Sequence, residues 1–171
     1  MTTLQAQRAE LRQNHLLAAL VAALPAADWQ RWVEVMEPVD MPLGRVLCAP
    51  GAMASHLYFP ATAVVSLMYL TRDGASSEVA VIGNDGVVGY SLLMGGNASP
   101  SQAVVQSEGQ GLRIPAQFIK SEMERAGPAM GVLLRYAQAL IAQIAQTAAC
   151  NRHHGIEQQL SRRLLMALDR G

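Results

Sequence analysis

The chain is poor in cysteine, aromatic residues and net charge, and it has no long hydrophobic run. Its two cysteines, Cys48 and Cys150, are too few for a disulfide framework and indicate a reducing compartment. Acidic and basic residues balance at 13 each, which excludes the basic footprint of a nucleic-acid-binding surface. No apolar segment reaches the roughly 20 residues that cross a membrane, and no signal-peptide pattern opens the chain. We therefore expect a cytoplasmic protein that contacts no membrane and does not bind DNA through these residues alone.

Candidates for catalytic or metal chemistry are also scarce. The four histidines, His15, His56, His153 and His154, are scattered, and no His-x-His pair occurs in a predicted strand. This disfavours a metal-dependent enzyme of the cupin type, which clusters several histidines and a glutamate on a barrel. No Ser-His-Asp arrangement and no phosphate-cradling glycine-rich loop stands out. We expect no enzymatic activity, no catalytic residue, no metal site and no cofactor.

The hydrophobic residues, 51% of the chain, are arranged as short strands between helices. Strands at this spacing, separated by turn signals, are typical of an antiparallel sandwich or barrel. The predicted helices cover residues 15–24, 28–36 (with Asp28 as cap), 116–125, 128–154 and 156–169. The predicted strands cover residues 45–48, 56–59, 63–71, 77–82, 103–107 and 111–114. The best hairpin turns are Arg72-Asp73-Gly74 and Asn84-Asp85-Gly86.

The long helix predicted over residues 128–154 carries two apolar strips. The first has the spacing of a heptad seam and consists of Leu133, Ala137, Leu140, Ile144, Thr147 and Asn151. The second lies beside it and consists of Met130, Leu134, Ile141, Ala145 and Ala148. One strip can face a partner helix while the other packs on the body of its own chain. We expect the first strip to form a homodimer interface; the alternative is a helix buried in a globular core.

Six short sequences, in their order along the chain, carry a resemblance to a known family. They are Asn14-His15-Leu16-Leu17, Pro42-Leu43-Gly44-Arg45-Val46-Leu47, His56-Leu57-Tyr58-Phe59-Pro60, Val87-Val88-Gly89, Gln146-Thr147-Ala148-Ala149-Cys150-Asn151-Arg152 and Leu160-Ser161-Arg162-Arg163-Leu164-Leu165. The chain resembles the sensor half of the Crp/Fnr family of bacterial transcription regulators. The resemblance implies a mainly β fold, an antiparallel double-stranded β-helix (jelly roll) with flanking helices and a long C-terminal dimerisation helix.

The resemblance also implies a division into three regions. Residues 1–127 would form a cyclic-nucleotide-binding-like sensor domain with N-terminal helices. Residues 128–154 would form the dimerisation helix. Residues 155–171 would be a hinge and the first helix of a truncated DNA-binding domain.

In that family the jelly roll holds a cyclic nucleotide or another effector between a short helix and the long helix. Members that bind cyclic AMP carry a Gly-Glu step and, about ten residues later, an arginine followed by a small hydroxyl residue. Here the Gly-Glu step reads Gly89-Tyr90, the arginine position falls near Pro100, and no Lys or Arg occurs between Gly74 and Gly111. A phosphate buried there would have no cationic partner. We therefore expect no response to cyclic AMP.

The expected effector pocket surrounds these two positions. It comprises Gly89, Tyr90, Leu92, Leu93, Pro100, Ser101 and Gln102, with residues 144–147 of the long helix facing it. An unknown small molecule of apolar or aromatic character would suit this composition. The alternative is a ligand-free core filled by side chains.

Taken with the resemblance, these features predict the effector-sensing and dimerisation part of a Crp/Fnr-type regulator. An effector would shift the pairing of the long helix and a hinge at His153, His154 and Gly155. DNA would be contacted only through a C-terminal helix-turn-helix that is missing here, so we expect a fragment. One alternative is a natural short form that titrates full-length regulators as heterodimers; a cupin-like metal enzyme is a more distant one.

Overall fold

A computed structural model describes residues 14–96 and 98–153, together with Glu157, Leu160, Ser161, Leu164, Leu165 and Leu168. The α-helices in these two ranges are α1 (His15–Ala23), α2 (Ala26–Val35), α3 (Ala116–Arg125) and α4 (Pro128–His153). The strands are β1 (Glu37–Met41), β2 (Val46–Cys48), β3 (His56–Pro60), β4 (Val64–Leu70), β5 (Ser76–Ile82), β6 (Gln102–Ser107) and β7 (Gly109–Pro115). A 3-10 helix, Tyr90–Met94, separates β5 from β6.

The strands form two antiparallel sheets. One has the order β1-β7-β3 and the other the order β2-β6-β4-β5. Side chains from both sheets meet in one hydrophobic core with fully buried residues such as Phe59, Leu67 and Ile114. The predicted jelly-roll class with flanking helices and a long C-terminal helix is therefore confirmed.

Each of the six predicted strands is present to within two residues at either end, but β1 was missed. Its side chains are mostly exposed and only Met41 is buried, so the alternation that marks a half-buried strand is absent. Its pairing with β7 is set by residues about 70 positions away, which local sequence cannot reveal.

Only one of the two predicted hairpin turns joins neighbouring strands. The Arg72-Asp73-Gly74 turn links β4 to β5, and Thr71 N–H donates to the Ala75 carbonyl at 2.9 Å. The Asn84-Asp85-Gly86 turn instead leads from β5 to Val88, which pairs with Tyr58 of the other sheet. This second turn therefore crosses between sheets.

Asn14 fixes the start of α1. Its Oδ1 accepts from the backbone N–H groups of Leu16 and Leu17, and its Nδ2 donates to the carbonyls of Pro60 (2.8 Å) and Gly86 (2.9 Å). The side chain is fully buried with all four hydrogen bonds satisfied. The predicted cap is confirmed, and it also ties α1 to β3 and to the crossing turn.

Helix α2 begins two residues earlier than predicted. It starts at Ala26 after Pro25, and Asp28 lies in its first turn rather than at the cap. Asp28 instead pairs with Arg31 and with Arg125 of α3, at 3.3 Å in each case. An acidic group in the first turn complements the helix dipole, which explains why the position resembled a cap.

Helix α4 buries the first part of the predicted seam in its own chain. Leu133, Ala137 and Leu140 are at most 3% exposed and belong to the core of their own chain, and Ile144 is packed against that core. The seam is not buried along its whole length, since Thr147 is half-buried and Asn151 is exposed, and its role as a dimer interface stays a prediction. The second strip is the open one, since Ile141 is 49% exposed and Ala145 and Ala148 are exposed. Dimerisation itself stays a prediction.

The C-terminal predictions fall mostly outside the described residues. Of the expected hinge, His153 is the last residue described in α4, while His154 and Gly155 lie outside the described part. The six described residues of the expected last helix are helical, and four of them are exposed leucines: Leu160, Leu164, Leu165 and Leu168.

Candidate functional site

The expected pocket residues lie on one segment, residues 89–102, which we call the cassette segment. It begins where Val88 and Tyr58 exchange backbone hydrogen bonds of 2.8 and 2.9 Å. Gly89 then turns the chain with φ +102°, and a side-chain carbon there would lie 2.9 Å from the carbonyl oxygen of His56. Both the positive φ and this close approach require glycine.

The 3-10 helix of the cassette segment is packed into the core. Leu92 and Leu93 are 3% and 2% exposed, and Tyr90 and Ser91 are buried as well. The helix lies against both α3 and α4. These four predicted pocket residues or neighbours are therefore buried in the described structure.

The second half of the cassette segment is hydrogen-bonded to the loop that follows β2. Ser99 N–H donates to the Ala52 carbonyl at 3.0 Å, and Gly51 N–H donates to the Ser99 carbonyl at 2.8 Å. The Ser99 hydroxyl donates to the Ser101 carbonyl at 2.7 Å. These bonds hold the chain as it enters β6.

Ser101 and its neighbours face different directions. Ser101 is 2% exposed, and its hydroxyl has no hydrogen-bond partner within the described part of the chain. Pro100 is exposed, and Gln102 is half-buried on the outer face of the four-stranded sheet. The structure thus brings Gly89, Tyr90, Leu92, Leu93 and Ser101 to the core side of the segment. Pro100 and Gln102 do not join them, since adjacent residues of an extended chain point to opposite faces.

The cassette segment carries no charge of its own. It contains no Lys, Arg, Asp or Glu. The hydroxyl of Ser101 is buried, and an unpaired buried hydroxyl lowers stability unless a partner reaches it. Chemically, the segment can offer hydroxyl groups and apolar contact, but no charge pairing.

A hydrogen bond links α4 to the entrance of the cassette segment. Tyr136 Oη donates to the Val87 carbonyl at 3.2 Å. The Tyr136 ring also covers Gly86, where an added side-chain carbon would lie 2.7 Å from the ring. This contact was not predicted, because no local pattern connects residues 50 positions apart.

His56 lies at the same entrance through its backbone. Burial, followed by the Arg113 guanidinium, lowers the pKa of its imidazole below the ordinary value, and Glu37 acts weakly in the opposite direction. Its Nδ1 lies 2.9 Å from Ser55 Oγ, and its ring is tilted against Tyr58 with centroids 5.8 Å apart. The neutral imidazole is therefore the favoured form.

Among the described residues, no group of three or more His, Cys, Asp or Glu side chains is placed to hold a metal ion. No helix among them is both long and apolar enough to cross a membrane.

Comparison with known families places the cassette segment inside a recognised domain. The cyclic nucleotide-binding domain family matches residues 38–126, which span β1 to α3. No curated protein sequence matches the chain.

Several solved structures share the fold at low sequence identity. The regulatory subunit of a cAMP-independent protein kinase A from Trypanosoma brucei aligns at TM-score 0.64 and 16% identity, over 78% of this chain and 47% of that one. The c-di-GMP-responsive global regulator CLP from Xanthomonas campestris aligns at TM-score 0.61 and 17% identity, over 82% of this chain and 70% of that one. The sensor domain of the transcriptional regulator DNR from Pseudomonas aeruginosa aligns at TM-score 0.60 and 17% identity, over 86% and 93%. This chain therefore spans about half of the kinase subunit.

Proposed function

Because the chain belongs to the cyclic nucleotide-binding domain family, we propose that it is the effector-sensing and dimerisation part of a Crp/Fnr-type transcription regulator. The resemblance predicted from the sequence is confirmed at the level of domain family and fold, since the similar structures include transcription regulators. The role in sensing and in assembly is the proposal.

The observation that supports the proposed sensing role is the contact between the cassette segment and the long helix. The Tyr136–Val87 hydrogen bond joins α4 to the residue two positions before Gly89. The buried strip of α4 and the 3-10 helix share one core. A ligand that displaced the 3-10 helix would therefore act on the packing of α4 directly, because close-packed interiors transmit displacement.

Assembly would use the open strip of α4. No charged residue occurs from Tyr136 to Asn151, and this stretch includes the exposed Ile141, Ala142 and Ala145. An uncharged exposed helix face with small residues allows two copies to approach closely without like-charge repulsion. We assign the homodimer contact to this strip, which lies beside the predicted seam.

The effector would not be cyclic AMP. The cassette segment has Tyr90 where a carboxylate would take the ribose, and Pro100, near the arginine position, is exposed. A phosphate beside Ser101 would be desolvated without a paired cation, which costs several kcal/mol. An uncharged effector of apolar or aromatic character suits the segment better.

A thermal-shift titration with cyclic AMP and cyclic GMP tests the ligand class, because ligand binding to the native state raises the melting temperature. We expect no shift up to millimolar nucleotide, with a cyclic-AMP-binding member of the family as positive control. A saturable rise of several degrees would overturn the assignment of an uncharged ligand.

A further inference from the structure

Two helices hold successive carbonyl groups at the end of the crossing turn, Asn84-Asp85-Gly86. The Gly86 carbonyl accepts from Asn14 Nδ2, in the cap of α1, at 2.9 Å. The next carbonyl, that of Val87, accepts from Tyr136 Oη of α4 at 3.2 Å. The chain is therefore held by both α1 and α4 immediately before it enters the cassette segment.

A further bond joins α1 to the first residue of the turn. The backbone N–H of His15 donates to the Asn84 carbonyl at 2.7 Å, so α1 contacts the turn at its beginning and at its end. Asn14 is fully buried, and Gly86 and Val87 are buried as well. A buried carbonyl that loses its donor is left unpaired away from water, which costs free energy. Loss of either helix contact would therefore destabilise the turn.

The contacts of the two helices meet at Gly86. The Asn14 amide binds its carbonyl, and the Tyr136 ring lies so close that an added side-chain carbon at Gly86 would be 2.7 Å from the ring. Helices α1 and α4 also pack against each other. Because close-packed groups transmit displacement, a movement of α1 would disturb the contact between Tyr136 and the turn as well.

The turn determines how the cassette segment begins. Val88, which follows the turn, exchanges backbone hydrogen bonds of 2.8 and 2.9 Å with Tyr58 of β3. Asn14 Nδ2 also donates to the Pro60 carbonyl at the end of the same strand, so one side chain holds the turn and the strand together. Release of the turn from Asn14 would therefore also loosen the pairing of Val88 with β3.

We propose that α1 is a second element, beside α4, that controls the position of the cassette segment. While Asn14 and His15 hold the crossing turn, the 3-10 helix is kept in its buried position; release of α1 frees the turn and allows the 3-10 helix to open from the core. Neither the ligand class nor the dimer contact proposed above enters this inference. Its test and the cyclic-nucleotide titration can therefore fail independently.

The test is amide hydrogen exchange, followed by NMR, on the ¹⁵N-labelled full chain carrying His15→Pro. His15 is the first residue of α1, where proline fits a helix, so the substitution removes the bond to Asn84 and keeps the helix. The reporters are the amides of Val88, bonded to β3, and of Leu92, whose N–H donates to the Gly89 carbonyl at 3.0 Å. We expect both to exchange about three- to tenfold faster than in the wild type. An unchanged Leu92 rate would overturn the proposal.

Two control variants separate this local opening from a general loss of stability. Ser66→Ala removes the buried hydroxyl bonded to Glu78 in the four-stranded sheet and should leave the Leu92 rate unchanged. Ala26→Pro makes the same kind of substitution at the first residue of α2 and should also leave it unchanged. Equal acceleration of Leu92 by His15→Pro and Ser66→Ala would mean that the amide exchanges only by global unfolding, which would refute control by α1.

Tyr136→Phe examines the same turn from the side of α4. It removes the bond to Val87 and should accelerate exchange at the same amides as His15→Pro. Acceleration of Leu92 by Tyr136→Phe alone would assign control of the segment to α4 and refute the proposal. If His15→Pro does not fold, Asn14→Asp replaces it under the same criterion, since it keeps the capping oxygen and loses both donated bonds.

Discussion

Tyr136 of the long helix donates a hydrogen bond of 3.2 Å to the carbonyl oxygen of Val87, at the entrance of the cassette segment. The bond joins the element that would carry a signal to the segment that would receive it. Helix and segment are thus coupled by a polar contact as well as by apolar packing.

Removing this hydroxyl should loosen the junction. Tyr136→Phe keeps the ring over Gly86 and deletes the donor, so we expect a loss of about 0.5–1.5 kcal/mol in the free energy of unfolding. Urea denaturation followed by circular dichroism measures it. Tyr69→Phe, at a half-exposed position on β4, is the matched control and should change stability little. Equal effects of the two variants would show that the Val87 bond contributes nothing.

Gly86 should be intolerant of a side chain because of the same tyrosine. A Cβ at this position would lie 2.7 Å from the Tyr136 ring, so Gly86→Ala should destabilise the protein by about 1–3 kcal/mol. In a Tyr136→Ala background the added methyl group has room, and the cost of Gly86→Ala should fall by more than half. Additive losses in this double-mutant cycle would contradict the contact.

Asn14 should be more sensitive than an ordinary helix cap. Asn14→Ala leaves the Pro60 and Gly86 carbonyls without their donor and also removes the cap, so we expect a loss of about 2–3 kcal/mol. Asn14→Asp separates the two roles, since it keeps the capping oxygen but loses both donated bonds. We expect Asn14→Asp to destabilise nearly as much. If Asn14→Asp were as stable as the wild type in chemical denaturation, the role of Asn14 would be limited to capping the helix.

Adjacent positions on α4 should respond in opposite ways to a charge. Leu140→Asp places a carboxylate in the core and should prevent folding, whereas Ile141→Asp lies on the open strip and should leave the melting temperature within a few degrees. If the strip is the dimer contact, Ile141→Asp should sediment as a monomer and Met53→Asp, an exposed loop position, as a dimer. A dimeric Ile141→Asp would exclude this strip.

His56 should make stability depend on pH. Its folded-state pKa is lowered, so the unfolded chain takes up its proton first as the pH falls. The contribution is present above the ordinary pKa of about 6.5 and is lost as pH decreases from there towards the folded-state pKa. We expect the fall in melting temperature from pH 7.5 to 5.5 to be smaller in His56→Asn than in the wild type. Identical pH profiles would assign the dependence to other groups.

Local sequence signals were sufficient to predict elements whose two ends are marked by proline or glycine. Helix α3 begins after Pro115 and ends before Gly127-Pro128, and it was predicted with both bounds correct. The edge strand β1 was missed because its partner strand, and not its own pattern, determines it.

The site was harder to predict, for two physical reasons. The two strips of α4 are about 100° apart on the helix, and periodicity alone does not say which of them faces the body of the chain. The predicted pocket residues lie on one segment of the chain, but treating them as one pocket overlooked the alternation that separates Ser101 from Gln102. The link from Tyr136 to Val87 is non-local and has no sequence signal.

The four bonds of Asn14 have a consequence for the order of folding. Its donated bonds reach carbonyls 46 and 72 positions along the chain, so the first helix receives its complete anchor only after the distant strands have assembled. Contacts that form after the transition state slow the reverse reaction and leave the forward rate nearly unchanged. We therefore expect loss of the Asn14 amide to accelerate unfolding and to leave the refolding rate nearly unchanged.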